Sequence, residues 1–204
     1  MEHDSGQEQE DIWIFAFGSL LWKADSLLPY LEKQKGFVKG FQRRFFRSSV
    51  LHRGTPENPG RVVTLIYSGN PECKVYGVGY RIAVQDKHHV LEMLRCRETV
   101  GYERYRVEFY TYPSDSQQPN DPLPIQLFAV AADQLTFVGK DDTLETIAEQ
   151  ILGAAGESGT NPAYVYRLAD AMRQLFPGEQ DDHLFDLEKL LLSRDPQGEE
   201  YTKQ

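Results

Sequence analysis

Cysteine is scarce in this chain: two residues, Cys73 and Cys96, among 204. They form no Cys-x-x-C pair and have no Cys/His spacing, so neither a disulfide framework nor a cysteine-based metal site is indicated. Long apolar runs are missing too. The longest nearly uncharged stretch, Ile12 to Trp22, falls well short of the roughly 20 residues that cross a bilayer. The N-terminus is acidic and has no secretory-signal pattern. A cytoplasmic protein without membrane attachment is the expectation. Positive charge is in deficit, 22 Lys and Arg facing 31 Asp and Glu for a formal net of −9, which argues against nucleic acid or an anionic membrane as partner. G-x-S-x-G, H-E-x-x-H, protein-kinase, P-loop and dinucleotide-binding patterns are likewise absent, so no metal and no nucleotide cofactor is expected.

What is present suits an ordinary globule, with 40% apolar and 26% charged residues and enough length for one well-cored domain. We expect a disordered acidic tail over 1–10, a single domain over 11–195 and a C-terminal tail over 196–204. Ile12 to Phe17 is a near-continuous apolar run of strand length. Gly36 to Ser49 reads as one or two strands and Arg61 to Tyr67 as another. Tyr76, Val78, Tyr80 and Ile82 alternate with Gly77, Gly79 and Arg81, the period of a half-buried strand whose bare face suits a barrel bend or a close approach of backbone or ligand. Tyr105, Val107 and Phe109 alternate again, and a strand is expected over Ile125 to Ala132.

Helices are expected from Asp86 to about Arg95, and then throughout the last third. There, Asp142 and Glu145 form a capping box, Asn161-Pro162 an N-cap followed by proline, and Asp182 to Ser193 a final helix. Strands first and helices late point to an α+β fold, in which six or seven strands can curl into a small barrel.

Three constellations carry possible chemistry. The first strand stops at Gly18-Ser19, where backbone N–H groups and a hydroxyl can meet a polar ligand; a plain turn is the alternative. Glu98 stands where the 87–95 helix runs out. A carboxylate among apolar neighbours can act as a general base, and an exposed Glu paired to Arg95 or Arg97 is the bland counterpart. Finally, Lys39, Arg43, Arg44, Arg47, Arg53 and Arg61 face one acid, Glu57, over residues 39–61. That basic island fits either a small anionic ligand or a solvated strand face. Within it His52, Arg53 and Arg61 flank a Gly/Pro loop and could hold a carboxylate. Gly156 to Asn161, ahead of a helix, could offer N–H groups to an anion.

In their order, Phe15-Ala16-Phe17-Gly18-Ser19-Leu20-Leu21-Trp22, Arg43-Arg44-Phe45-Phe46, His52-Arg53-Gly54-Thr55-Pro56, Pro59-Gly60-Arg61-Val62-Val63-Thr64-Leu65, Arg97-Glu98-Thr99-Val100-Gly101-Tyr102 and Ala154 to Asn161 resemble the ChaC family of γ-glutamylcyclotransferases. The likeness is greatest to the short cytosolic members that act on glutathione, and it runs to the helix containing Asp182 to Leu190. It implies a small mixed β-barrel with flanking helices and cofactor-free cleavage of glutathione to 5-oxoproline and cysteinylglycine. It also implies that Ile14, Phe15, Ala16, Phe17, Gly18, Ser19 and Leu20 bind the γ-glutamyl group, and that Glu98 is catalytic. No metal is implied, and oligomeric state is left open.

Several positions depart from the family's pattern. Its Gly-Tyr-Gly-Ser-Leu loop begins here with Ala16-Phe17. Its Ser-Thr-Asp-His-Arg-Gly reads Ser49-Val50-Leu51-His52-Arg53-Gly54, and its Asn-x-Glu-Tyr-Leu has Ala163 for the glutamate. Two alternatives stay open on these grounds: a catalytically weak relative that binds γ-glutamyl ligands or regulates, and the same ring closure on another γ-glutamyl compound.

Overall fold

The computed structural model describes residues 10–97, 102–112, 121–130 and 136–195. In chain order its elements are β1 (Ile12–Ala16), α1 (Leu20–Leu27), β2 (Tyr30–Lys39), β3 (Phe41–Ser49), β4 (Gly60–Tyr67), β5 (Lys74–Ile82), α2 (Lys87–Arg97), β6 (Tyr102–Thr111), β7 (Leu123–Val130), α3 (Leu144–Leu152), β8 (Ala155–Gly156), β9 (Gly159–Thr160), α4 (Asn161–Leu175) and α5 (Asp182–Arg194).

β1 is apolar at every position and has a neighbour on each side. It runs antiparallel to β5, from Ile12 opposite Ile82 to Ala16 opposite Val78. It meets β7 in parallel at Ile14 and Gln126. That parallel contact closes a five-stranded barrel in the order β1-β5-β2-β6-β7, whose other pairings are antiparallel. Closure leaves no barrel strand with an open edge.

The missing side chains at Gly77 and Gly36 make room inside. A Cβ on Gly77 would sit 2.3 Å from the Ala16 carbonyl oxygen and 2.6 Å from the Phe15 ring, and one on Gly36 would sit 2.2 Å from the Phe109 ring. Phe15 and Phe109 fill that space with ring centroids 5.9 Å apart, each burial contributing about 1.5–3 kcal/mol. The bare strand face expected from the glycine alternation is thus a close approach of backbone and aromatic rings.

β3 and β4 stay out of the barrel and pair only with each other among the described strands. The chain leaves β2 at Gly40, whose φ of 81° an L-residue rarely adopts. Within β3 the register to β4 slips between Arg44 and Arg47, a bulge that turns both Phe45 and Phe46 inward, 0% and 8% exposed. The bulge frees the Phe45 N–H from the ladder, and it donates to His183 Nε2 on α5 at 3.1 Å. Arg43, 2% exposed, ties β3 to α5 and β5 through Asp181 at 2.5 Å and the Tyr76 carbonyl at 2.6 Å.

Two helical starts differ from the sequence expectation. Thr143 caps α3, its hydroxyl accepting from the Thr146 N–H at 3.3 Å, because the expected cap Asp142 is paired with Arg61 at 2.5 Å. Thr160 precedes α4, and Asn161 is that helix's first residue. Helix α1 and the first half of β2 carry no pattern legible in advance. β2 opens with Leu31 55% exposed, so alternation fails there. One hydrophobic cluster joins the barrel, the β3–β4 pair and α3–α5.

Candidate active site

The junction between β1 and α1 builds the centre of the site. β1 ends at Ala16, and α1 begins after three residues, Phe17 to Ser19. The Gly18 carbonyl accepts from the Leu21 N–H at 2.9 Å, and the Ser19 carbonyl accepts from the Lys23 N–H at 3.0 Å. These bonds use the N–H groups of Leu21 and Lys23, whereas those of Gly18, Ser19 and Leu20 come ahead of the first of them, where a helix start leaves donors over. Ser19 stands at the N-cap position with φ −57° and ψ −23°, and its hydroxyl makes no capping bond. Tyr80 of β5 donates to the Leu20 carbonyl at 3.1 Å and so fastens α1 to the barrel. Burial holds the Tyr80 phenol above its ordinary pKa, so it stays a donor at physiological pH.

A cavity of about 150 Å³ opens at this junction. All of Ile14, Phe15, Ala16, Phe17, Gly18, Ser19 and Leu20, the residues that the resemblance assigns to the γ-glutamyl group, line it. Val62 and Val63 of β4, Leu94 of α2, Phe128 of β7 and Tyr164 of α4 complete the apolar walls. Gly18 is tightly placed, for a Cβ there would come 3.0 Å from Val63 Cγ2 and 3.1 Å from the Tyr164 hydroxyl. The departures from the family's loop are accommodated without strain: Ala16 packs 2% exposed over Gly77, and Phe17 stacks on Phe15 at 6.3 Å.

Charge at the cavity is one-sided. Lys23, Arg47 and Arg53 line it, with no Asp or Glu among the described lining residues. Arg53 is 3% exposed, donates to the Thr160 carbonyl at 2.9 Å and lies 5.4 Å over the Tyr164 ring. Burial lowers its pKa, the Tyr164 side chain opposing and Arg167 adding to the shift.

The basic island expected from the sequence is therefore divided. Arg61 belongs to the scaffold rather than the cavity, held by Asp142, Gln150 Oε1 at 2.6 Å and the Val138 carbonyl at 3.1 Å. Arg43 is committed to Asp181. The 156–161 segment offers no anion cradle either. It folds as the β8–β9 hairpin, whose Glu157 and Ser158 N–H groups donate to the carbonyls of Leu51 and His52 at 2.9 and 3.0 Å. That hairpin instead straps down the cavity's rim, where Ser158 Oγ lies 3.3 Å from His52 Nδ1.

Glu98, the expected catalytic acid, lies outside the described residues, as do the 1–9 and 196–204 segments. What is described is the helix leading to it. Leu94, 4% exposed, brings the last turns of α2 against the cavity, and α2 ends at Arg97. Arg47 and Arg53 come from the basic island, whereas Tyr164, Lys23 and Thr136 are cavity residues that sequence reasoning missed. Tyr164 reads as core in the helical period, and Thr136 arrives through the segment after β7, where its carbonyl accepts from the Ser48 N–H at 2.8 Å.

A second, larger cavity of about 450 Å³ lies against β6 and β7 with mixed charges, including Glu10, Asp11, Arg104 and Arg106, and none of the described candidate residues lines it. Among the described residues no group of three or more His, Cys, Asp or Glu is placed to hold a metal ion. None of their helices is long and apolar enough to cross a membrane.

A closed mixed barrel capped by helices, with its cavity at the first strand-to-helix junction, is the γ-glutamylcyclotransferase fold. The crystal structure of a yeast gamma-glutamyl cyclotransferase specific to glutathione superposes with a TM-score of 0.80 at 28% identity, over 90% of this chain and 96% of that one. Residues 12–194 match the sequence model of the ChaC-like protein family, and the chain belongs to that family. It is 38% identical over 179 residues to the glutathione-specific gamma-glutamylcyclotransferase 1 of Mus musculus, covering 87% of this chain and 76% of the relative. It is 37% identical over 187 residues to the protein of that name from Danio rerio, covering 91% of each. To the glutathione-specific gamma-glutamylcyclotransferase of Schizosaccharomyces pombe it is 32% identical over 191 residues, covering 87% of this chain and 90% of the relative.

Proposed function

We propose that this chain cleaves glutathione by intramolecular ring closure, releasing 5-oxoproline and cysteinylglycine, and that it works in the cytoplasm. The observation that carries the reading is the cavity floored by Ile14 to Leu20. It joins helix N-terminal donors and the cationic side chains of Lys23, Arg47 and Arg53 to apolar walls, in a family whose relatives bear glutathione-specific cyclotransferase names.

In the mechanism we infer, the γ-glutamyl carboxylate sits against the Gly18–Ser19–Leu20 turn, where the helix dipole and the free N–H groups favour an anion. The α-ammonium has a reference pKa of about 7.7–8.0 and cannot attack while protonated. Glu98 takes that proton, the freed nitrogen attacks the γ-carbonyl carbon, and a new C–N bond closes the five-membered ring. The ring nitrogen gives up its second proton to solvent, the old amide C–N bond breaks, and Glu98 returns the first proton to the leaving nitrogen. No electron changes hands, so the step calls for positioning and proton transfer alone, the latter accounting for roughly 10²–10⁴ in rate.

The test is to incubate purified protein with glutathione and quantify 5-oxoproline and cysteinylglycine, for wild type and Glu98→Gln. We expect product from wild type and a loss of at least about 10²-fold in the variant, with an unchanged melting temperature. Undiminished turnover in the variant removes Glu98 from the mechanism. No product from wild type on any γ-glutamyl peptide overturns the activity itself.

A further inference from the structure

Of the described residues that line the cavity, two are apolar and exposed: Val50 at 48% and Leu51 at 43%. The rest of its apolar lining is buried or half-buried. Adjacent branched side chains exposed beside a cavity offer apolar contact to a ligand that reaches its mouth. The loop that carries them is fixed. Arg53 N–H donates to Ser49 Oγ at 3.1 Å, and the β8–β9 hairpin bonds the Leu51 and His52 carbonyls from the other side. Gly156 lies so close that a Cβ on it would fall 2.4 Å from the Leu51 carbonyl oxygen. Val50 and Leu51 are thus held as a rigid apolar rim, which costs a ligand little ordering entropy to use.

The inference rests on the proposed cyclotransferase reading: with the γ-glutamyl group on the floor at Ile14 to Leu20, the leaving residue is left to the exposed part of the lining, whose apolar side chains are Val50 and Leu51. We propose that Val50 and Leu51 form a subsite for an apolar substituent on the leaving residue, so that S-alkyl thioethers of glutathione are substrates. The chemistry is unchanged: the α-amine nitrogen bonds to the γ-carbonyl carbon, and the amide nitrogen departs, protonated, as the amine of an S-alkyl-cysteinylglycine. The thioether bond is untouched, and no co-reactant is needed.

The experiment measures 5-oxoproline release from glutathione and its S-methyl, S-butyl and S-hexyl derivatives, with wild type and the Val50→Thr/Leu51→Asn double variant. A fully buried methylene is worth roughly fourfold, so an open rim predicts about a twofold rise in kcat/KM per methylene in wild type. In the double variant, whose folding is checked by its melting temperature, we expect the series to be flat. A flat or falling series in wild type overturns the subsite while leaving the activity standing, provided glutathione itself is turned over. So does an equal slope in the double variant. Release from none of the four compounds overturns the cyclotransferase reading and the subsite with it.

Discussion

Asn161 holds the backbone of Arg61 on both sides. Its Oδ1 accepts from the Arg61 N–H at 2.6 Å, and its Nδ2 donates to the Arg61 carbonyl at 2.7 Å. The side chain is 0% exposed, and it occupies the place a neighbouring strand would take at the start of β4. It thereby docks α4, and with it Tyr164, against the β3–β4 pair that walls the cavity. Asn161→Ala leaves two buried backbone groups without partners, each costing about 1–3 kcal/mol. Chemical denaturation should show a loss of about 3 kcal/mol in unfolding free energy. Asn161→Asp, which keeps the acceptor but not the donor, should recover only part of it.

Gly18 tests how closely the floor of the cavity is fitted. Gly18→Ala places a methyl 3.0 Å from Val63 Cγ2 and 3.1 Å from the Tyr164 hydroxyl, so the turn must shift by a few tenths of an ångström. Small displacements of a reacting group are expensive in rate, and kcat/KM for glutathione should fall roughly tenfold or more. Adding Tyr164→Phe removes the oxygen that crowds the new methyl. The double variant should lose less than the product of the two single effects, a coupling that steady-state kinetics would expose.

Tyr80→Phe removes the bond to the Leu20 carbonyl. The expected cost is about 1 kcal/mol in stability. Because the carbonyl belongs to the first turn of α1, the kinetic loss should appear mainly in KM. An unchanged KM would mean that packing alone holds α1 in place.

His183 gives the fold a defined weakness to acid. Burial, reinforced by nearby Arg44 and opposed by Asp186, lowers its pKa to about 4 from the ordinary 6.5. Its Nε2 accepts the Phe45 N–H, which requires neutral imidazole, and the ring stacks on Phe45 at 5.9 Å and meets Phe46 edge-on at 5.8 Å. Between pH 6.5 and 4 the unfolded chain binds this proton and the folded chain does not. The contribution is therefore complete above pH 6.5 and is lost as pH falls toward 4, up to about 3 kcal/mol. Urea unfolding of wild type and His183→Gln across that range should show the difference between them shrinking by about that amount.

Much of this architecture could be read from the chain because its signals are local. Ile12 to Phe17 is apolar on both faces, which is what a strand enclosed by two neighbours needs, and the alternation from Tyr76 to Ile82 marks its partner. The Gly18-Ser19 break and the helical spacing of the last third are equally local. The start of β2 was not legible, because Leu31 and the lysines around it pair through backbone and leave their side chains in water. Thr143 displaced Asp142 as a helix cap because a buried arginine more than 80 residues away claimed the carboxylate.

By itself the sequence determined most of the order of strands and helices, α1 and the start of β2 excepted, and the break at Gly18-Ser19, since backbone periodicity and residue type are properties of neighbours along the chain. Tertiary structure decided which charges serve the cavity and which hold the scaffold. It sent Arg47 and Arg53 to the lining, buried Arg43 and Arg61 against Asp181 and Asp142, and brought Tyr164 against Gly18. The reason is physical. A guanidinium taken out of water must find a partner, and which partner reaches it depends on segments up to 138 residues distant that only closure of the fold brings together.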